Sequence, residues 1–145
     1  MLPQILLGSL LVVATSAVHS AVTVLVLGVL RALRAEHWLM RTHLGRGSLV
    51  AGTVLLVFLA AVVEVMIWAW VYLRVGAIEG LETALYFSMV TFTTLGYGDV
   101  VLDVEWRLLA SFQAAIGIIM FGWTTAIIVA LIQRMVAQQS AATAG

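Results

Sequence analysis

Hydrophobic positions run through this chain in long blocks, and the few polar residues that break them mark its elements. Residues 2–30 carry no formally charged side chain; as a helix they reach about 43 Å, more than the roughly 30 Å hydrocarbon core of a bilayer. A second block, Ser48 to Leu73, is broken only by Glu64, and a third, Leu108 to Ile132, contains no charge. Each is long enough to span a membrane as a helix. The segment Glu79 to Val101 differs: its apolar stretch, Ala84 to Phe92, is too short to cross. That length suits a re-entrant helix, which is tolerated at membrane depth only where protein or a water-filled path surrounds it.

The pattern predicts an all-α membrane protein. Its parts are an N-terminal transmembrane helix over 1–33, a loop over 34–47, an outer helix over 48–73, a short helix over 82–93, a non-helical stretch over 94–99 and an inner helix over 107–133. The tail over 135–145 has neither charge nor apolar period and is expected to be disordered. A cleaved signal peptide is the rival reading of the first block. No basic residue precedes it, however, and the apolar run continues to Leu30, so the helix is expected to be retained.

Arginine placement sets the expected orientation. The connection from Arg31 to Gly47 holds Arg31, Arg34, Arg41 and Arg46 against Glu36 alone, which places it in the cytoplasm. The N-terminus is then outside, the C-terminus cytoplasmic, and the acid-rich segment 74–107 outside. Trp68, Trp70, Tyr72 and Trp106 read as aromatic side chains for anchoring at the outer headgroup level and for packing.

Composition narrows the chemistry. The chain of 145 residues is 63% hydrophobic and 10% charged with a formal net charge of +0, and its mean hydropathy is +1.15. A nucleic-acid partner would need a basic patch that is missing here. With no Cys, disulfides and thiolate chemistry are excluded. No Ser, His and acid cluster at a plausible spacing and no nucleotide or cofactor motif points to an enzyme. His37 and His43, six apart, do not share a helical face and read poorly as a metal site.

The short helix is followed by Thr93-Thr94-Leu95-Gly96-Tyr97-Gly98-Asp99. Glycines at alternate positions reach φ > 0 readily, and a chain held that way can turn successive carbonyls to one side. At membrane depth such a row needs a cation or water. TTLGYGD resembles the selectivity-filter signature of the potassium channel family, and the preceding ALYFSMVTF resembles that family's pore helix. The resemblance extends from Ser48 to about Arg134, leaving the first helix outside the two-helix plan.

That resemblance implies a homotetramer in the cell membrane, surrounded by lipid, with four filter strands around one axis and K⁺ as the permeant ion rather than a cofactor. The carbonyls of Thr94, Leu95, Gly96 and Tyr97, with the Thr94 hydroxyl, would form the ion sites. Gly98 would open the outer mouth, and Asp99, with Tyr86 and Thr93, would support the filter. Leu95 stands where Val or Ile is common, but that position contributes a carbonyl. Val90 stands where some bacterial relatives carry an acid, so Asp99 needs another partner, with Tyr86 and the filter amides as candidates. On the inner helix Gly117 resembles a hinge glycine, although close packing explains it equally well. Ile118, Phe121 and Thr125 would line the cavity, and Val129 and Gln133 would surround the cytoplasmic exit.

The function so implied is potassium-selective conduction. A weakly selective cation channel keeps the same architecture, and a non-conducting subunit that modulates other channels is the reading from another class. Two intramembrane ionisable residues remain, Glu64 and His19. A buried carboxylate needs a partner or a proton, and His19 is the candidate partner, through a structural hydrogen bond or as part of a proton sensor.

Overall fold

The computed structural model describes residues 1–32 and 42–143, all of whose regular structure is helical. The order is α1 (Leu2–Ala32), α2 (His43–Arg74), α3 (Leu81–Phe92) and α4 (Arg107–Thr143). Three of these are long and apolar enough to cross a membrane. The fourth, α3, has 12 residues and reaches only about 18 Å.

Each long helix buries a narrow stripe and leaves apolar residues outside it. On α2 the stripe is Thr53, Val57, Ala60, Glu64, Trp68 and Tyr72, spaced three or four apart so that one face meets its neighbours. On α4 it includes Leu109, Gln113, Ile116, Met120, Ile127 and Leu131. Large apolar side chains point away from the bundle elsewhere, among them Val13, Val24, Phe58 and Leu55. Exposure of this kind suits an apolar solvent, where packing and internal hydrogen bonds, not withdrawal from water, hold helices together.

Helix α1 packs against both α2 and α4. Small residues permit the approach: a Cβ on Gly8 would stand 2.8 Å from the Phe112 ring. At the same end the Gln4 side-chain amide donates to the Glu105 carbonyl. The described part of the chain therefore forms a three-helix bundle, with α3 wedged between α2 and α4.

The helix ends differ from the sequence expectation in two places. Helix α2 begins at His43, inside the span 34–47 assigned to a loop, because Thr42 caps it: its side chain accepts from the Gly45 amide at 3.0 Å. Residues 34–41 of that loop, with Arg34, Glu36, His37 and Arg41, lie outside the described residues. Helix α4 runs to Thr143, through most of the tail expected to be disordered. Ala and Gln are good helix formers, and the Arg46 guanidinium donates to Gln139 Oε1 at 2.7 Å, linking the start of α2 to that extension.

The aromatic residues of α2 divide between the two roles expected of them. Trp70 is exposed, with the Arg74 guanidinium 5.1 Å above its ring. Trp68 and Tyr72, however, are fully buried. They lie one turn apart on the stripe that faces α3 and α4, and Tyr72 meets Phe87 edge-on at 5.2 Å. Trp68 and Tyr72 therefore pack in the core, and Trp70 is the one of the three that faces outward.

Candidate functional site

The site begins where α3 ends. Thr93 closes the helix, its hydroxyl donating to Met89 O at 2.8 Å. The chain then winds back on the helix terminus: the amide of Thr94 donates to Thr91 O at 3.0 Å, and those of Leu95 and Gly96 to Val90 O at 3.0 and 3.3 Å. These bonds satisfy carbonyls that a helix end leaves free. They also fix which polar groups of the next stretch remain available. Among the described residues, no hydrogen bond ends on a carbonyl of residues 94–98.

Backbone handedness alternates along this stretch. Thr94, Gly96 and Gly98 have φ of 59°, 53° and 79°, while Leu95 and Tyr97 are not in the positive-φ region. Glycine accepts that conformation without a Cβ penalty. Thr94 does not: a β-branched residue with φ > 0 is a steric outlier, costing on the order of 1–3 kcal/mol unless its surroundings enforce it. Such strain concentrates at functional sites. Residues Thr94 to Asp99 are all exposed in the single chain, so the strand and its open carbonyls face away from the chain's own core.

Asp99 is held by Tyr86, whose hydroxyl donates to its Oδ2 at 2.6 Å. That bond, against partial desolvation, keeps the Asp99 carboxyl below its ordinary value of 3.8, and the backbone amides of Asp99 and Val100 add to the effect. The partner therefore comes from the middle of α3, one turn before Val90.

The base of the site rests on α4 at Gly117. A Cβ there would lie 2.0 Å from Phe92 O, so the C-terminal end of α3 sits where only glycine leaves room. Phe92 itself is buried, and its ring meets Phe121 at 5.8 Å. Ile118, Phe121, Thr125, Val129 and Gln133 are exposed. Their spacing puts them on one face of α4, opposite its buried stripe. The single chain brings Phe121 against Phe92, but leaves that face as a whole uncovered.

A polar network behind α3 escaped the sequence reading. Gln113 Nε2 donates to Ser88 Oγ at 2.7 Å and to Ser88 O at 3.2 Å, while its Oε1 accepts from the Tyr72 hydroxyl at 2.8 Å. Ser88 Oγ in turn donates to Val65 O at 2.7 Å. All three side chains are buried or nearly so, and they join α2, α3 and α4 by bonds that an apolar interior makes costly to break. The signal was available: Gln113 is the one carboxamide inside the apolar run 108–132.

A second cluster lies deeper. His19 Nδ1 is 3.0 Å from Glu64 Oε1, with the two side chains 1% and 0% exposed. His19 Nε2 is 3.3 Å from Thr124 Oγ1 on α4. The two residues thus share one depth. Among the described residues no group of three or more His, Asp or Glu side chains is placed to hold a metal ion.

Residues 51–134 match the family model described as "Ion channel". Neither a curated protein nor a solved structure matches the chain. The match takes in α2 from its third turn, all of α3, the strand 94–99 and α4 as far as Arg134, more than half of the chain. Three apolar helices and this match make the chain a multi-pass membrane protein, a member of the two-transmembrane ion channel family.

Proposed function

We propose that the protein is a potassium-selective channel, assembled from four copies around an axis lined by residues 94–98. The observation that carries this is the alternating handedness at Thr94, Gly96 and Gly98 within Thr94-Leu95-Gly96-Tyr97-Gly98. Alternation of that kind turns successive carbonyls to one side, and oxygens so arrayed replace the hydration shell of a dehydrated cation. One chain supplies one strand and cannot enclose an ion; cyclic symmetry closes the ring.

The rest of the site supports the same reading. Helix α3, re-entrant in this arrangement, directs its C-terminal, negative end toward the middle of the assembly, which favours a cation there. The uncovered face of α4 from Ile118 to Gln133 would line the cavity and the cytoplasmic exit, with the N-terminus outside. Potassium flux from purified protein in liposomes, blocked by Ba²⁺, tests the proposal. Flux that Ba²⁺ leaves unaffected would favour a weakly selective pore. Absence of any flux would favour a subunit that acts through other channels.

A further inference from the structure

His19 and Glu64 form a buried pair outside any role in the filter. The bonds around it account for three of its four polar atoms. His19 Nδ1 and Glu64 Oε1 face each other at 3.0 Å, and His19 Nε2 faces Thr124. Glu64 Oε2 is buried with no hydrogen-bond partner. An acceptor left empty at zero exposure costs free energy, and a carboxylate is expensive at membrane depth. The pair is cheapest when it holds two protons in total and is neutral overall, the shared proton lying between Nδ1 and Oε1.

Among the described residues no nearby charge offsets a departure from neutrality. On α1 the next described ionisable side chain is Arg31, about 18 Å along the helix from His19; on α2 the next are Tyr72 and Arg74, about 12 and 15 Å from Glu64. On α4, Arg134 and Arg107 lie about 15 and 26 Å from Thr124. Helix α3 brings only Glu82 and Tyr86, and Tyr86 is engaged with Asp99. A cavity of about 210 Å³ reaches His19 and Thr124; the rest of its lining is apolar, Phe92 and Phe121 included.

We infer that His19 and Glu64 are a proton-binding site that ties α1 to the inner helix, and that an added proton loosens the tie at Thr124. The vacant Oε2 takes that proton, so Glu64 becomes a neutral acid and His19 an imidazolium. Site charge then changes from zero to +1, and the new O–H has no acceptor within the fold. The unpaired imidazolium draws water into the otherwise apolar cavity, and water that hydrates Nε2 competes with Thr124 for it. Thr124 adjoins Thr125 and lies one turn from Phe121, both on the face that lines the conduction path in the channel reading on which this inference rests. An equilibrium of this sort couples pH to the pore.

The test uses the full chain with His37 and His43 replaced by Gln, so that His19 is the remaining histidine. Potassium flux is measured from liposomes at about pH 8 and about pH 5, above the range in which Asp99 titrates. The lack of Cys lets spin labels be placed on Leu27→Cys and Ala130→Cys, which line one groove between α1 and α4, in subunits diluted with unlabelled chain. Acidification is expected to change flux about tenfold, within the usual span of coupled sites, and to lengthen or broaden the label distance. In the His19→Gln/Glu64→Gln double variant, both responses should vanish. A label distance that is the same at both pH values, or a response that survives in the double variant, would overturn the inference. Absence of flux at every pH would overturn the channel reading instead, and the label distance would then decide the proton site alone.

Discussion

Thr94 shows how much of this site depends on one backbone angle. Its φ of 59° breaks the ordinary rule for a β-branched residue, and the sequence alone, read through its glycines, offered no sign of it. Gly96 and Gly98 were legible because glycine is the residue such angles favour. Replacing Gly96 with Ala should abolish K⁺ selectivity or conduction while leaving assembly intact. Nothing lies within 4 Å of the added Cβ, so the effect would come from the φ of 53° and not from a clash. Flux with a size-exclusion profile checks both halves of that expectation.

Asp99 gives a pH dependence at the same scale. Its folded value lies below the ordinary 3.8, so its contribution to stability is complete above 3.8 and is lost as pH falls through the lower folded value. Replacing Tyr86 with Phe removes the largest cause of that shift. The variant should conduct less persistently at neutral pH and lose most of the acid sensitivity assignable to Asp99, as followed by flux after incubation across the acid range. The partnership itself was one of two candidates readable from the sequence, since Val90 carries no carboxyl and Tyr86 lies one turn nearer the start of α3.

At the scale of elements, hydrophobic blocks located all three long helices, because a 20-residue apolar run has few other uses. Their ends were less legible. Thr42 starts α2 early through a local cap, and Ala and Gln extend α4 past its last apolar turn; neither effect has a hydrophobic signature. The burial of Trp68 and Tyr72 was hidden for a different reason, since which face of α2 meets α3 is a tertiary fact. Gly117 could be read as hinge or as packing from sequence alone. The 2.0 Å approach of Phe92 O gives packing a concrete contact. Gly117→Ala should force α3 and α4 apart and destabilise the fold by about 1–3 kcal/mol, the usual cost of overpacking, or more because the obstacle is backbone. A lowered midpoint of thermal unfolding in detergent would register it.

For the molecule as a whole, the described residues make one side complete and leave the other open. Glu64, Gln113, Ser88 and His19 find partners inside the chain, whereas the carbonyls of residues 94–98 accept no hydrogen bond among the described residues and the face of α4 from Ile118 to Gln133 stays exposed. In the proposed channel, copies of the chain would meet around that open side. The helix α1 outside the family match adds a third contact to this unit and brings His19 to the pair behind the pore.

The most direct test of the central claim is the reversal potential of reconstituted protein under opposed K⁺ and Na⁺ gradients. Carbonyls at Thr94 to Tyr97 acting as a dehydrating filter require it to sit near the K⁺ equilibrium potential. Reversal near zero, as equal permeability to the two ions would give, would contradict the account.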